Sequence, residues 1–324
     1  MREIGGYIEL DTYHLPMLHE DAIALNCGRN ALAWLIRARK INRLWIPKLI
    51  CDSVTGVCER EGISYSFYSI GMDFCPAQEV KLGEGEWFYF VNYYSQFDND
   101  RISEYVQKYK RIIVDNAQSY FQRPIPGIDS IYTCRKYFGV PDGAFLYTDA
   151  MPAEEYLQDE SLERMHFLLG RFEKSATEFY FEYVENNKRF ATEPIKEMSR
   201  LTRNLLHGIN YEEVVQIRKK NFEHLNKKLN CINQLKLQNG TFMYPLLIDN
   251  GMDVRKKMQE RRIYIPMLWP LCGEPTIQNN LEQFMAENIL PLPIDQRYGV
   301  EDMDYIALVL KKCINDREIE NERI

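Results

Sequence analysis

The sequence reads IIVDNAQ over residues 112–118 and DSIYTCRKYFGVPDGAFLY over residues 129–147, and these two stretches are the most informative about its architecture. Their apolar runs have strand length, and we predict strands over Ile112–Asp115, Asp129–Thr133 and Ala144–Tyr147. An acid ends the first strand, and a lysine stands in the tight loop between the other two. Ligands of α/β sheets bind beyond the carboxyl ends of the strands, so both loops are candidates for a site.

Helix and strand patterns alternate through the whole first half of the chain. The helical segments cover residues 28–40, 53–61 and 101–110, and the strand segments cover 44–47, 63–70 and 87–93. Such repetition predicts crossover units and a mostly parallel sheet with helices on both faces.

The second half has a different character. Residues 153–190 are charged, aromatic and helical in pattern, and Tyr211–Leu229 is a long amphipathic helix. The later elements are a strand over 243–248, helices over 253–262, near 277–288 and from 301, and an LPLPID segment at 290–295. We therefore predict a large α/β domain over residues 1–205 and a small α+β domain over residues 206–324.

Composition narrows the possible partners. The 324 residues carry a formal net charge of -7, which argues against nucleic acid or an anionic membrane as the main partner. The eight cysteines form no C-x-x-C pair, and the five histidines are far apart, so we predict no metal site. The N-terminus has no apolar signal segment, and no apolar run is long enough to span a bilayer. We expect a soluble protein of the reducing cytoplasm.

Three features carry possible chemistry, and each has an ordinary alternative. The turn at residues 27–30 precedes a helix and suits a phosphate, but it also reads as a plain helix start. Asp115 can hold a cation or a protonated ring nitrogen, although acids are common in strand-end turns. Lys136, beside the cation Arg135, can serve as a nucleophilic amine, although most lysines simply lie at the surface.

Taken together, these features resemble the DegT/DnrJ/EryC1/StrS family of sugar aminotransferases, which depend on pyridoxal 5'-phosphate (PLP). The corresponding pieces are GRNAL at 28–32, VDNAQ at 114–118, TCRK at 133–136 and PDGAF at 141–145. The resemblance extends in the same order to residues 46–51, 91–96, 217–229 and 289–306. It implies the aspartate-aminotransferase fold, PLP fold type I.

The resemblance also implies roles for individual residues. Lys136 would hold PLP as a Schiff base and then move protons, and Asp115 would keep the pyridine nitrogen protonated. The other implied cofactor contacts are Gln118 near the ring hydroxyl, Cys51 against the ring, and Gly28, Arg29, Asn30 and Thr133 at the phosphate. By position, Tyr93, Tyr94 and Arg297 could contact substrate.

The implied activity is transfer of an amino group from glutamate to a nucleotide-linked keto sugar, in amino-sugar biosynthesis, by a homodimer with the site at its interface. Some family members are dehydratases that lack the Schiff-base lysine, and Lys136 disfavours that reading. A second alternative is a non-catalytic relative that binds PLP or a nucleotide sugar in a regulatory or scaffold role.

Departures from the family pattern support that second alternative. Asn92 replaces a histidine, Ala144 replaces a glycine, and Thr133 stands closer to the lysine than the usual serine. The loop by which the neighbouring subunit supplies an asparagine to the phosphate is missing, and the helical stretch 154–190 takes its place.

Overall fold

A seven-stranded sheet forms the centre of the protein in a computed structural model that describes residues 4–270 and 281–321, with side chains through residue 315 in the last helix. The strands are β1 (Ile23–Leu25), β2 (Arg43–Pro47), β3 (Ser64–Tyr68), β4 (Glu86–Val91), β5 (Ile112–Asp115), β6 (Asp129–Thr133) and β7 (Ala144–Tyr147). Their order across the sheet is β1-β7-β6-β5-β4-β2-β3.

Only β7 runs against the other six strands. It pairs antiparallel with β6 on one side and with β1 on the other, while β2 to β6 pair in parallel. Strand β1 therefore points the same way as β6, and the carboxyl ends of six strands meet at one edge. The centre of the sheet is apolar on both faces, as Ile112, Ile113 and Val114 of β5 are all buried.

Ten α-helices accompany the strands in the described ranges. They are α1 (Gly28–Ala38), α2 (Asp52–Arg60), α3 (Asn99–Lys108), α4 (His166–Glu173), α5 (Tyr180–Arg189), α6 (Arg200–Leu206), α7 (Tyr211–Leu229), α8 (Gly251–Glu260), α9 (Leu281–Asn288) and α10 (Val300–Asn321). Helix α1 is enclosed on all sides from residue 30 to residue 36, because it lies between the sheet and the chain that follows β7. None of the described helices is long and apolar enough to cross a membrane.

A second, smaller core lies in the C-terminal part. Strands β8 (Met243–Leu247) and β9 (Ile289–Pro293) pair antiparallel, and α7, α8 and α10 pack around them. The predicted fold class, a mostly parallel α/β sheet with a small α+β unit, is thereby confirmed. The division at residue 205 falls inside α6, whereas residues of the second core begin at Phe222, so that boundary stays a prediction.

The helical stretch predicted over 153–190 is interrupted. Helices α4 and α5 cover only part of it, because the Ser175 hydroxyl accepts from the Glu178 amide and turns the chain. The turn packs the Phe179 ring onto Gly170, where any side chain would collide with it. The helix predicted near 277–288 is described only from Leu281, and its first four residues lie outside the described part.

Candidate active site

The predicted site residues gather at the edge where the strands end. Asp115 is the last residue of β5 and stands in register with Val91 of β4 and Ile131 of β6. Thr133 ends β6, and Cys51 follows β2 at the start of α2. The parallel order of these strands is the reason that residues far apart in sequence share one edge.

The Asp115 carboxylate is held by two donors. Its Oδ2 accepts from the Tyr89 hydroxyl at 2.9 Å, and its Oδ1 accepts from the Ala117 amide at 2.8 Å. Burial, together with the Asp115 charge, raises the pKa of Tyr89 well above its usual range. The tyrosine therefore keeps its proton and donates, which fixes the carboxylate in one orientation. Such an oriented, partly exposed carboxylate can hold a protonated ring nitrogen.

Gln118 is positioned by a strained turn after β4. Its Oε1 accepts from the Tyr94 amide at 2.7 Å. Tyr94 and Ser95 both have left-handed backbone, with φ of 51° and 63°, and each such residue costs about 1 kcal/mol. The Nε2 of Gln118 has no protein partner among the described residues, so it remains a donor for a ligand.

The start of α1 leaves backbone donors without acceptors. The Cys27 side chain forms no capping hydrogen bond. The amides of Gly28 and Arg29 lie in the first turn of the helix, where no intrahelical carbonyl is available to accept from them. Thr133 lies beside this turn, since a Cβ at position 28 would be 4.0 Å from its Cβ. Its hydroxyl has no partner within the described ranges. Two amides and a hydroxyl that bind no described protein group thus lie close together.

Two arginines add positive charge there. The guanidinium of Arg29 donates to the Asn187 carbonyl at 3.4 Å, and that of Arg135 donates to Asn187 Oδ1. In the described structure no carboxylate forms a salt bridge with either arginine. Burial lowers the pKa of Arg135, and the charge of Arg29 adds to that effect. A pair of cations that form no salt bridge with a described carboxylate, beside free amides, favours an anion such as a phosphate.

The Asn30 side chain is bonded to protein groups, whereas the resemblance implies a contact with the phosphate. Its Nδ2 donates to Asn26 Oδ1 and to the Pro194 carbonyl, and its Oδ1 accepts from Arg60. The side chain is completely buried, and its amide already binds the Cys27 carbonyl. A direct contact between Asn30 and a phosphate is therefore at odds with this arrangement, because every polar group of the residue is engaged inside the protein.

Lys136 is exposed and stands in a single helical turn. The amides of Tyr137 and Phe138 donate to the Cys134 carbonyl, and Lys136 Nζ lies 5.6 Å from the centre of the Phe242 ring. The turn is closed by a hydrogen bond from the Cys134 amide to the Gly143 carbonyl at 3.1 Å.

Gly143 and Asp142 lock the end of that loop. Gly143 has φ of 111°, and a Cβ there would lie 3.1 Å from Cys134 Sγ and 3.0 Å from Thr202 Cγ2. Asp142 is fully buried and accepts from the amide and hydroxyl of Ser199 and from the Thr202 hydroxyl. The PDG turn after the lysine thus requires both residues for its shape.

Other predicted contacts lie differently. Cys51 is half-buried, with Sγ 3.1 Å from Asp52 Oδ1, and it is close enough to Tyr89 to add to the rise of that pKa. Tyr93 and Tyr94 are buried, which is at odds with their predicted contact with substrate. The Arg297 side chain pairs with Asp295 at 2.6 Å.

Three residues of the site were absent from the predicted set: Tyr89, Arg135 as an anion-binding group, and Asn187. The sequence contained a clue to Arg135, because this residue stands next to Lys136 and carries the same positive charge as Arg29. The sequence contained no clue to Tyr89 or Asn187, since each reaches the site through a contact between distant segments.

Comparison with known proteins shows the fold. No family model matches the sequence, and no curated protein matches it. A DegT DnrJ EryC1 StrS aminotransferase from Brucella abortus is similar in structure, with a TM-score of 0.61 and 15% identity over 90% of this chain and 85% of that one. A proposed sugar aminotransferase of Streptococcus pneumoniae, Spr1654 in its apo form, has a TM-score of 0.65 and 13% identity over 97% and 94% of the two chains.

The S. venezuelae protein DesV, solved with a ketimine intermediate, has a TM-score of 0.63 and 13% identity over 93% and 90% of the two chains. Spr1654 has also been solved in a PLP form and in a PMP form. At these identities the likeness establishes a shared fold over nearly the whole chain.

Proposed function

We propose that this protein is a PLP-dependent aminotransferase that transfers an amino group to a nucleotide-linked keto sugar. One observation carries the proposal: the edge of the sheet holds an oriented carboxylate, Asp115, on β5 and two arginines without a described salt bridge, Arg29 and Arg135, near the ends of β1 and β6. PLP combines a ring nitrogen with a phosphate, and these two groups match those two sites. Lys136 follows β6 and supplies an exposed amine.

The residues present fit the cofactor. Asp115 would hold the ring nitrogen, and the free Nε2 of Gln118 would donate to the ring hydroxyl. The amides of Gly28 and Arg29, the Thr133 hydroxyl and the Arg135 guanidinium would hold the phosphate, while Cys51 would pack against the ring. When bound, PLP supplies an electron sink that accepts the pair left on carbon when a proton departs.

The protein's own groups would perform the proton transfers. Lys136 Nζ would take the proton from the carbon that bears the transferred nitrogen and return it elsewhere on the same framework, as a general base and then a general acid. Asp115 would stay in place against the ring nitrogen, because Tyr89 and the Ala117 amide both donate to its carboxylate. Its negative charge would keep the ring nitrogen protonated throughout.

The substrates are the finer part of the proposal. Structural neighbours named as sugar aminotransferases favour a keto sugar as acceptor, and glutamate as amino donor follows from the family resemblance. We place the protein in the cytoplasm, since Cys27, Cys51, Cys58, Cys75, Cys134 and Cys231 form no disulfide within the described structure, which is typical of a reducing compartment.

A homodimer is the proposed assembly. Helices α4 and α5 expose Phe172 at 91%, Phe181 at 69% and Leu169 at 55%. Apolar side chains in such a group favour a protein partner over water. Sedimentation at micromolar concentration tests this, and an active monomer would contradict it.

The visible absorption spectrum tests the cofactor assignment. The purified protein, Lys136→Ala and the control Lys219→Ala, which alters an exposed lysine of α7, are recorded with added PLP before and after borohydride reduction. We expect a yellow protein with cofactor fixed to Lys136 in the wild type and in the control. Lys136→Ala should carry no fixed cofactor.

Amino transfer to a panel of keto sugars then tests the activity. Turnover that requires Lys136 supports the enzyme. A protein that fixes PLP and transfers to no sugar would favour the non-catalytic, cofactor-binding alternative. A colourless wild type that takes up no PLP would overturn the proposal.

A further inference from the structure

Arg218 of α7 is a buried arginine that binds four separate groups. Its side chain is among the largest fully enclosed ones in the protein, with 2% of the residue exposed. The guanidinium donates to the carbonyls of Tyr137 at 3.2 Å, Thr241 at 2.9 Å and Phe242 at 3.2 Å, and its Nε donates to Gln296 Oε1 at 2.9 Å. It forms no salt bridge with a carboxylate of the described residues.

Two of these acceptors flank Lys136. Tyr137 directly follows the lysine, and Phe242 carries the ring that lies 5.6 Å from Lys136 Nζ. One guanidinium therefore fixes the backbone after the lysine and also the backbone of the ring that faces its amine. The Nε2 of Gln296 donates to the same Tyr137 carbonyl at 2.9 Å, and the Arg218 guanidinium lies over the Tyr137 ring at 4.7 Å.

The arrangement needs a planar, forked cation. Burial lowers the pKa of Arg218, so the protein keeps this charge at a cost and compensates it with carbonyl dipoles. A lysine ammonium has three donors on a single nitrogen, whereas Arg218 makes four bonds from three nitrogens of a fixed plane, so a lysine cannot replace them all. Helix α7, the residues just before β8 and the segment after β9 are all joined to the lysine turn at this one side chain.

We propose that Arg218, assisted by Gln296, is a positioning residue that sets the place of Lys136 Nζ and couples the second core to it. The inference rests on the proposed function, because it assigns Arg218 a part in the chemistry of Lys136. It touches neither substrate nor cofactor and acts through the Tyr137 backbone and the Phe242 ring.

Arg255 offers a matched control. It is also a buried arginine without a salt bridge among the described residues, and it donates to the carbonyls of Glu287 at 3.1 Å and Ile289 at 2.7 Å. Burial lowers its pKa as well. None of its partners adjoins Lys136. Arg255→Lys therefore shows the effect of replacing a buried guanidinium that does not contact the lysine turn.

The experiment compares full-length wild type, Arg218→Lys, Arg255→Lys and Gln296→Leu, each first checked for folding by circular dichroism. Hydrogen exchange of the Tyr137 and Phe138 amides is measured without cofactor. Added PLP is then fixed by borohydride, and kcat and KM are measured separately. We expect Arg218→Lys to exchange faster at both amides, to fix cofactor more slowly, and to lose about 10- to 100-fold in kcat with KM nearly unchanged.

The outcomes distinguish failure of the positioning role from failure of the proposed function. Arg255→Lys should leave exchange at Tyr137 and Phe138 as in wild type, and Gln296→Leu should show a smaller change in the direction of Arg218→Lys. Equal effects of Arg218→Lys and Arg255→Lys would overturn the positioning role. If wild type takes up no PLP, the proposed function fails, and exchange without cofactor still decides whether Arg218 holds the lysine turn. If Arg218→Lys does not fold, Gln296→Leu decides by the same measurements.

Discussion

The Tyr89 hydroxyl lies 2.9 Å from Asp115 Oδ2 and donates to it, so a tyrosine of β4 orients the carboxylate at the end of β5. The bond joins adjacent strands of the sheet and involves a hydroxyl that burial keeps protonated. A hydrogen bond to a charged group contributes about 1.5–3 kcal/mol, enough to matter for a ligand held by that charge.

Tyr89→Phe should weaken PLP binding by about 10- to 100-fold, because Asp115 loses the donor that orients it. Titration of the visible band with PLP measures the affinity. Tyr68→Phe is the matched control, since the Tyr68 hydroxyl is also buried and donates to a backbone carbonyl, that of Tyr89, at 2.8 Å. Equal losses in both variants would mean that sheet stability, and not the carboxylate, is affected.

Arg135→Gln should weaken binding of PLP by about 10- to 100-fold and leave binding of pyridoxal, which lacks the phosphate, nearly unchanged. The reason is that Arg135 and Arg29 lie beside the free amides of α1 and form no salt bridge with a described carboxylate. Absorption titrations with the two compounds give the ratio of affinities.

Arg37→Gln is the control for that ratio, because Arg37 lies in the last turn of the same helix and pairs with Glu61 and Glu154. It should bind both compounds like wild type. A fall in affinity of Arg135→Gln that is equal for PLP and pyridoxal would contradict the phosphate assignment.

The strand ends were predictable from the sequence, whereas the contacts between distant segments were not. Apolar runs that stop at Asp115 and Thr133 mark the strand ends directly, and parallel strands place those ends together. The Tyr89 hydroxyl reaches Asp115 only because β4 and β5 are neighbours in a particular register. That register follows from packing of the whole sheet, which no local pattern records.

Asn30 shows how a fitting residue type can mislead. Its place in the first turn of α1 suits a phosphate ligand, yet Asn26, Pro194 and Arg60 take up its side chain. Whether protein groups occupy the Asn30 side chain in place of a phosphate depends on where residues 193–194 return to the sheet. In the same way, Asn187 meets Arg135 across 52 positions of sequence, through a helix whose place the pattern did not give.

Lys40→Gly should stabilise the protein by about 1 kcal/mol, because Lys40 holds left-handed backbone, with φ of 51°, just after the end of α1. The side chain is exposed, so little packing is lost. Urea unfolding measures the difference. Lys40→Ala is the control and should change the free energy of unfolding much less, since alanine meets the same strain. A gain in Lys40→Ala equal to that in Lys40→Gly would locate the effect in the side chain.

The buried His19 should make the free energy of unfolding depend on pH. The ring is fully buried, with Nε2 2.7 Å from the Tyr120 carbonyl and Nδ1 3.1 Å from the Tyr147 hydroxyl. The carbonyl can only accept, so the neutral ring carries its proton on Nε2 and accepts from Tyr147 at Nδ1. Burial lowers the pKa of His19 from 6.5 to about 4.

Between pH 6.5 and about 4 the unfolded chain therefore binds a proton at His19 that the folded protein does not. The free energy of unfolding should fall as the pH drops through this window, by up to about 3 kcal/mol from this group. His19→Gln keeps a donor for Tyr120 but does not titrate, so its stability at neutral pH should be lower and its loss between pH 6.5 and 4 smaller. Urea unfolding at a series of pH values checks this, with His14→Gln, at an exposed position, as control. If His19→Gln loses stability across the window as steeply as wild type and the control do, another group is responsible for the acid sensitivity.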